Sequence, residues 1–219
     1  RCSRNYNTSN WLGFFNDCPI PIARGLDAPR AHMQVPVNYD LNFAIRRKLM
    51  GVLRDHLALA KCPEDIIETV RGSARAIFSA DGIAFVLNDD GHCHYVEENA
   101  IGPLWKGQRF PMQRCISGWA MLNGKTAAIE DVFKDPRIPH EIYRQTFVQS
   151  LIMVPVNRTN PVAAIGAYWR DRQKFSVEFV ALAEELAAEV GDAMGQTQAD
   201  RSEAFLEIEQ IRQRRVARN

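Results

Sequence analysis

RFPMQRCISGWAMLNGKTAAIEDVFKDPRIPHEIYRQTFVQSLIMVPVNRTNPVAAIGAYW, residues 109–169, is the stretch whose reading decides the fold. A helical turn, Cys115-Ile-Ser-Gly-Trp-Ala-Met-Leu122, closes on Asn123-Gly124. A short strand is expected from Thr126 to Ile129, followed by the acidic pair Glu130-Asp131. A proline-containing loop and a short helix should occupy Asp135 to Gln149. Two apolar runs end the stretch, Leu151–Val156 and Val162–Trp169, joined by the polar turn Asn157–Pro161. Apolar strands so joined read as an antiparallel hairpin.

Upstream, Asn38 to Ala60 places Leu41, Ile45, Leu49, Val52, Leu53 and Leu57 at spacings of three and four, one apolar helical face. Cys62-Pro63 breaks that helix, because proline disfavours helical backbone in the residue before it. Pro63-Glu64-Asp65 starts a second helix, with Ile66, Ile67, Val70, Ala74 and Ile77 as its buried face. Ile83–Leu87 reads as a central strand, and Asn88-Asp-Asp-Gly91 turns into His92–Glu97 to make a hairpin. Residues 98–111 read as a loop. Residues 1–38 lack a sustained period and read either as an irregular arm packing Trp11, Phe14 and Phe15 onto the domain or a partner, or as a linker.

Downstream, Ser176 is a good N-cap for a last helix. Its stripe of Phe179, Leu182, Leu186, Val190 and Ala193 is continued by Ala204, Phe205, Ile208 and Ile211. A helix of about forty residues spans on the order of 60 Å, more than a small domain can cover. Its far seam therefore asks for a second copy, in a parallel dimer; the alternative for residues 196–219 is a frayed tail. The expected dimer contacts are Leu41, Ile45 and Leu49 on the first helix and Leu182, Leu186, Val190, Phe205, Ile208 and Ile211 on the last. Arg212, Arg214, Arg215 and Arg218 suit the negative end of the helix dipole.

Bulk properties narrow the classes. The chain has 219 residues, 46% of them hydrophobic, so one or two domains with a sizeable core are expected. A net charge of +1 favours neither nucleic acid nor an acidic membrane surface. No run of about eighteen apolar residues is present, so no membrane span is expected. There is no signal-peptide pattern. Five scattered cysteines do not read as a disulfide framework, which leads to the expectation of a reducing, cytoplasmic setting. No CxxC occurs, and His92 and His94 share a strand face with no third ligand in sight, so no metal is expected. The start at Arg1 rather than Met leads to the expectation of a segment excised from a longer protein.

Taken in order, Ile116-Ser-Gly-Trp119, Ile129-Glu-Asp-Val132, Asp135-Pro-Arg137, Ser150-Leu-Ile-Met-Val-Pro155 and Ala164-Ile-Gly-Ala-Tyr-Trp169 resemble a GAF domain. Leu104-Trp-Lys-Gly-Gln-Arg-Phe-Pro111 beside Cys115-Ile-Ser-Gly-Trp-Ala-Met121 resembles the sensory GAF domain of proteobacterial HWE-type sensor histidine kinases. The resemblance implies an α+β fold: an antiparallel sheet with helices on one face, a loop-covered pocket on the other, and a long C-terminal helix. It divides the chain into an arm (1–38), a helix (39–61), the GAF domain (62–190) and a C-terminal signalling or coiled-coil helix (191–219). It implies two-component signal transduction, with the output domain outside this segment and no catalytic residue within it.

On that fold the pocket would lie beneath residues 98–118 and 131–149. Its expected ligand-binding residues are Phe85, Tyr95, Trp105, Cys115 and Ser117, with Trp119, Asp131, Arg137, Tyr143 and Phe147. Phe110, Ile138 and Trp169 could also line it. Aromatic walls with Ser117, Asp131 and Arg137 as polar points suit a planar polar molecule, and the same aromatics equally suit a plain core. The ligand's identity is left open. A covalent bilin is not expected: His140–Phe147 contains no cysteine, and Cys18 lacks the flanking residues of the phytochrome type. The cyclic-nucleotide signature is absent. Free methionine sulfoxide reductases carry a cysteine in a Gly-x-Cys-Gly turn on this fold; here Ser117 stands at that place, Cys115 lies two residues earlier, and residues 131–142 hold no resolving cysteine. The two other readings are therefore a ligand-free dimerisation or spacer module and a thiol enzyme using Cys115.

Overall fold

A computed structural model describes the backbone of residues 39–216 and the side chains of 42–199. The readings made for residues 1–38 lie outside the described residues. Two helices open the fold, α1 (Tyr39–Leu57) and α2 (Pro63–Phe78). The hairpin β1 (Gly82–Asp89) and β2 (His92–Ala100) leads to β3 (Arg109–Pro111), a 3-10 turn (Met112–Arg114) and α3 (Ile116–Asn123). Then come β4 (Ala127–Ile129), α4 (His140–Tyr143), β5 (Ser150–Val156), β6 (Ala163–Trp169) and α5 (Val177–Val216). The six strands form one sheet in the order β3-β2-β1-β6-β5-β4, and every pairing is antiparallel.

The central strands read as unbroken apolar runs because the sheet is buried on both faces. Ile83, Phe85, Ile152, Val154, Ile165 and Trp169 face α1, α2 and α5. Ala84, Val86, Leu151, Met153, Ala164 and Tyr168 face α3, α4 and the loops. The helix side is closed by Leu53, Val70, Ile77, Leu182, Leu186 and Val190. Ion pairs from Arg47 and Arg54 of α1 to Glu185 and Glu189 fasten α1 to α5, Arg54 Nη2 reaching Glu189 at 2.7 Å.

Local chemistry sets the ends. Pro63 opens α2, whose C-cap Ser79 has φ +49. The Ser176 hydroxyl accepts the Phe179 amide at 3.2 Å and starts α5. Two expectations change. The helix expected in Asp135–Gln149 is one four-residue turn: Pro136 and Pro139 restrict its start, and the Thr146 hydroxyl accepts the Val148 amide at 3.3 Å, diverting the backbone beyond it. The loop expected over 98–111 contributes strand at both ends, because β2 runs to Ala100 and Arg109–Pro111 pairs with His92–His94. No described helix is long and apolar enough to cross a membrane.

The expected dimer seam is split. Leu182, Leu186 and Val190 are no more than 1% exposed within their own domain, because the sheet's helix face needs that cover; they form no seam on the surface. Leu49 packs partly against the same core, whereas Ile45 stays 49% exposed. Val52, one heptad on from Ile45, is 45% exposed. The side chains of Leu41, Phe205, Ile208 and Ile211 lie outside the described residues.

Candidate functional site

Three backbone features build the loop side. Glu98, near the end of β2, turns its carboxylate on the following loop and accepts the amides of Leu104, Trp105 and Lys106 at 3.2, 3.0 and 2.9 Å. Three donors on one carboxylate hold the loop tightly and aim the Trp105 indole inward. At α3, a Cβ on Gly118 would fall 1.9 Å from the Met112 carbonyl oxygen, so only glycine lets the helix start lie on the 3-10 turn. On β6, a Cβ on Gly166 would fall 2.4 Å from the Tyr168 hydroxyl, so the phenol lies in the space that the glycine leaves.

The enclosed space holds Tyr95, Trp105, Tyr143 and Tyr168, none more than 4% exposed. Trp105 is the hub, with ring centroids 5.6 Å from Tyr95, 4.8 Å from Tyr143 and 5.7 Å from Tyr168. The Tyr168 hydroxyl is sealed from solvent and has no hydrogen-bond partner; it approaches the Tyr95 phenol without the geometry of a bond. Burial pushes the pKa of all three phenols up, so each is neutral near neutrality. The Tyr95 hydroxyl instead meets Ser117 Oγ at 3.1 Å. Ser117 donates to Cys115 Sγ at 3.3 Å, and that thiol lies 3.7 Å from the Pro111 carbonyl.

Of the ten residues expected to bind ligand, Tyr95, Trp105, Cys115, Ser117 and Tyr143 come together here, with Phe147 packed at the edge. Phe85 does not: it points to the helix side with Ile83, as strand alternation requires, and Trp169 goes with it. Arg137 lies outside, its guanidinium 4.3 Å from the Trp119 ring centroid and paired twice with Asp135, at 2.9 and 2.6 Å. That pairing holds the Asp135 carboxyl below its ordinary range. Asp131 is a loop anchor, accepting the Phe133 amide at 3.1 Å and pairing with Arg172 at 2.9 Å. Ile138 and Phe110 belong to the loop-side core. Among the described residues no three His, Cys, Asp or Glu side chains gather as a metal would require, and His94 lies 3.7 Å from Asp89 instead.

Three residues escaped the sequence reading, and Tyr168 is one: that reading has Trp169 as the pocket-lining residue of β6, but alternation turns Tyr168 to the loop side instead. Glu98 carries no motif; only its place before a Gly-Pro loop hinted at an anchor. Cys93 joins Cys115 in this interior because β2 pairs with β3, Cys93 opposite Phe110, and the 3-10 turn then brings the chain back. Its alternation against His92 and His94 was the available signal.

No curated protein matches the chain. Solved structures similar to it include free methionine-R-sulfoxide reductase from Neisseria meningitidis in complex with its substrate, at 18% identity, covering 72% of this chain and 93% of that one with a TM-score of 0.63. The GAF domain of a phosphoenolpyruvate-protein phosphotransferase from Coxiella burnetii is similar at 14% identity, 74% and 99% coverage and a TM-score of 0.64. A far-red absorbing dark state with bound biliverdin IXa is similar at 14% identity, 68% and 99% coverage and a TM-score of 0.56. These likenesses concern the fold. Residues 61–195, more than half of the chain, match the GAF domain family, and the chain belongs to it.

Proposed function

We propose that this GAF domain is the sensory module of a signal-transduction protein of the histidine-kinase type, and that it takes a small planar polar ligand on the loop side of the sheet. The observation that carries this is the Tyr168 hydroxyl, buried without a partner among three other aromatic rings. An orphaned buried hydroxyl costs on the order of 1–3 kcal/mol, which a ligand oxygen or nitrogen would recover. Trp105 fills the space, so a ligand would have to displace the indole against the three amide bonds by which Glu98 holds its loop. Among proteins of this fold, one similar structure holds its substrate and another biliverdin, which supports the fold as a frame for small molecules. The set of contacts here is Tyr95, Trp105, Ser117, Tyr143 and Tyr168.

The signal would leave through α5, whose first half lies on the sheet while the helix runs on to Val216. A ligand shifts that helix only by preferring one of two arrangements. The dimer would form along Ile45 and Val52 of α1 and the distal part of α5. The test is a thermal-shift screen with nucleotides, haem, bilins and small organic acids. A hit should raise Tm with concentration and quench tryptophan fluorescence, and Tyr168→Phe should weaken that response. No ligand effect across the screen leaves the second reading.

That second reading, a ligand-free dimerisation and spacer module, is favoured by the packing of Tyr95, Trp105, Tyr143 and Tyr168 into the same space. Light scattering on a chain ended at Gln196 separates the two interfaces. Dimerisation that survives the truncation places the contact on α1 rather than on distal α5.

A further inference from the structure

Cys93 and Cys115 are both buried on the loop side, and neither is in a disulfide. Cys115 is the residue before α3 and has extended backbone, so its sulfur stands at the helix N-terminus. The Ser117 hydroxyl donates to that sulfur at 3.3 Å, and the Cys93 thiol and the Gly118 amide favour its ionised form. They hold the Cys115 thiol below its ordinary range, against the effect of burial. Cys93 moves the other way, because its proton is shared with Cys115 and it is buried. Cys115 keeps 8% exposure and Cys93 none. The two thiols therefore differ in both ionisation and access, and the difference has the same sense.

We propose that Cys93 and Cys115 are a peroxide-reactive thiol pair, in which Cys115 is oxidised first and Cys93 resolves it to a disulfide. The Cys115 thiolate attacks one oxygen of a hydroperoxide; the O–O bond breaks, and the departing oxygen takes a proton and leaves as water or an alcohol. Cys115 is then a sulfenic acid. The Cys93 sulfur loses its proton, attacks the Cys115 sulfur and displaces the hydroxyl, which leaves as water. Two thiols give up two electrons and two protons, and the peroxide accepts them. A dithiol reductant reverses the step by exchange. The bond would tie β2 to the start of α3 and so pin both ends of the segment that carries Trp105. This inference is independent of any ligand in the aromatic space.

The test uses the full chain, reduced, treated with hydrogen peroxide in stoichiometric amount, then alkylated under denaturing conditions and mapped by mass spectrometry. The expected product joins the Cys93 and Cys115 peptides, lighter by two hydrogens than the reduced pair, with Cys62 still alkylated. In Cys93→Ser, Cys115 should be trapped by dimedone as a sulfenic acid; in Cys115→Ser, Cys93 should stay reduced. The proposal is overturned if Cys93 and Cys115 both remain alkylated at peroxide levels that oxidise Cys62, or if Cys93 oxidises as fast in Cys115→Ser as in the wild type. The wild-type map decides the matter even if a variant does not fold.

Discussion

The two faces of the sheet are equally buried and differently made. On the helix side, α1, α2 and α5 lay aliphatic side chains over Ile83, Ile152, Val154 and Ile165. On the loop side, phenols, an indole, two thiols and a hydroxyl share the interior with aliphatic side chains such as Val86, Ile116, Leu151 and Met153, beneath short elements. Burial of aliphatic surface is favourable at about 25 cal/mol per Å² and needs no partner. Burial of a hydroxyl or thiol needs one, and the loop side supplies it for Tyr95 and Ser117 but not for Tyr168. The helix side is therefore held by aliphatic burial with little polar accounting, whereas the loop side is a core whose polar groups must also find partners.

The largest effect that would test this contrast is at Gly118. Gly118→Ala drives a methyl into the Met112 carbonyl, a backbone atom that cannot swing aside. A loss of about 3 kcal/mol or more is expected, read as a collapse of the urea midpoint or as failure to fold. A near-neutral Gly118→Ala would show that α3 is free to move away from the 3-10 turn and that the loop side is softer than its contacts imply. Next is Leu186→Ala on the helix side, 1% exposed and part of the helix-side core. A cost of about 3 kcal/mol in chemical denaturation is expected, with no effect on the proposed self-association because the side chain is internal. Loss of the dimer with the monomer fold intact would return Leu186 to a seam.

What the sequence made legible follows the same contrast. The apolar runs of β5 and β6, the three-four spacing of α1 and α2, and Ser176 as a cap were readable because each signal is local. Phe85 was misplaced because β1 is apolar on both sides, so its parity carried no label for which face was which. Leu182, Leu186 and Val190 were assigned to a dimer because an apolar stripe looks the same whether it meets a second chain or its own sheet. β3 was missed because three residues ending in proline have no period, and only pairing with β2 makes them strand. The approach of Cys93 to Cys115 depends on that pairing, and so could not be read before it.

A smaller effect tests whether the exposed rim beside α4 is structural. Arg137 holds the Asp135 carboxyl low, chiefly by hydrogen bonding. A folded-state value below the unfolded one gives stability that is present above the unfolded value and lost as pH falls through the folded one. In Asp135→Asn, the acid limb of the stability curve, below about pH 4, should be shallower than in the wild type. At neutral pH the cost should stay under about 1 kcal/mol, since both partners are partly exposed. An unchanged acid limb would remove Asp135 from the account of this rim.

The smallest effect is the most informative, and it concerns a single oxygen. Tyr168→Phe deletes the hydroxyl that has no partner while keeping the ring against Trp105 and over Gly166. Removing a satisfied buried hydroxyl destabilises by about 1 kcal/mol; removing an unsatisfied one is neutral or stabilising by a similar amount. For a domain of this size that is a change in Tm on the order of 2–4 °C, so the sign can be measured. The expected result is an unchanged or higher Tm without ligand, together with a weaker response to any compound that raises Tm in the wild type. That combination would separate the two faces: on the helix side, a group removed always costs stability, whereas here the group costs stability by its presence and repays it only when something binds. A clear fall in Tm would mean that the hydroxyl has its partner inside the fold already, and the loop side would then be a second core built from aromatic rings.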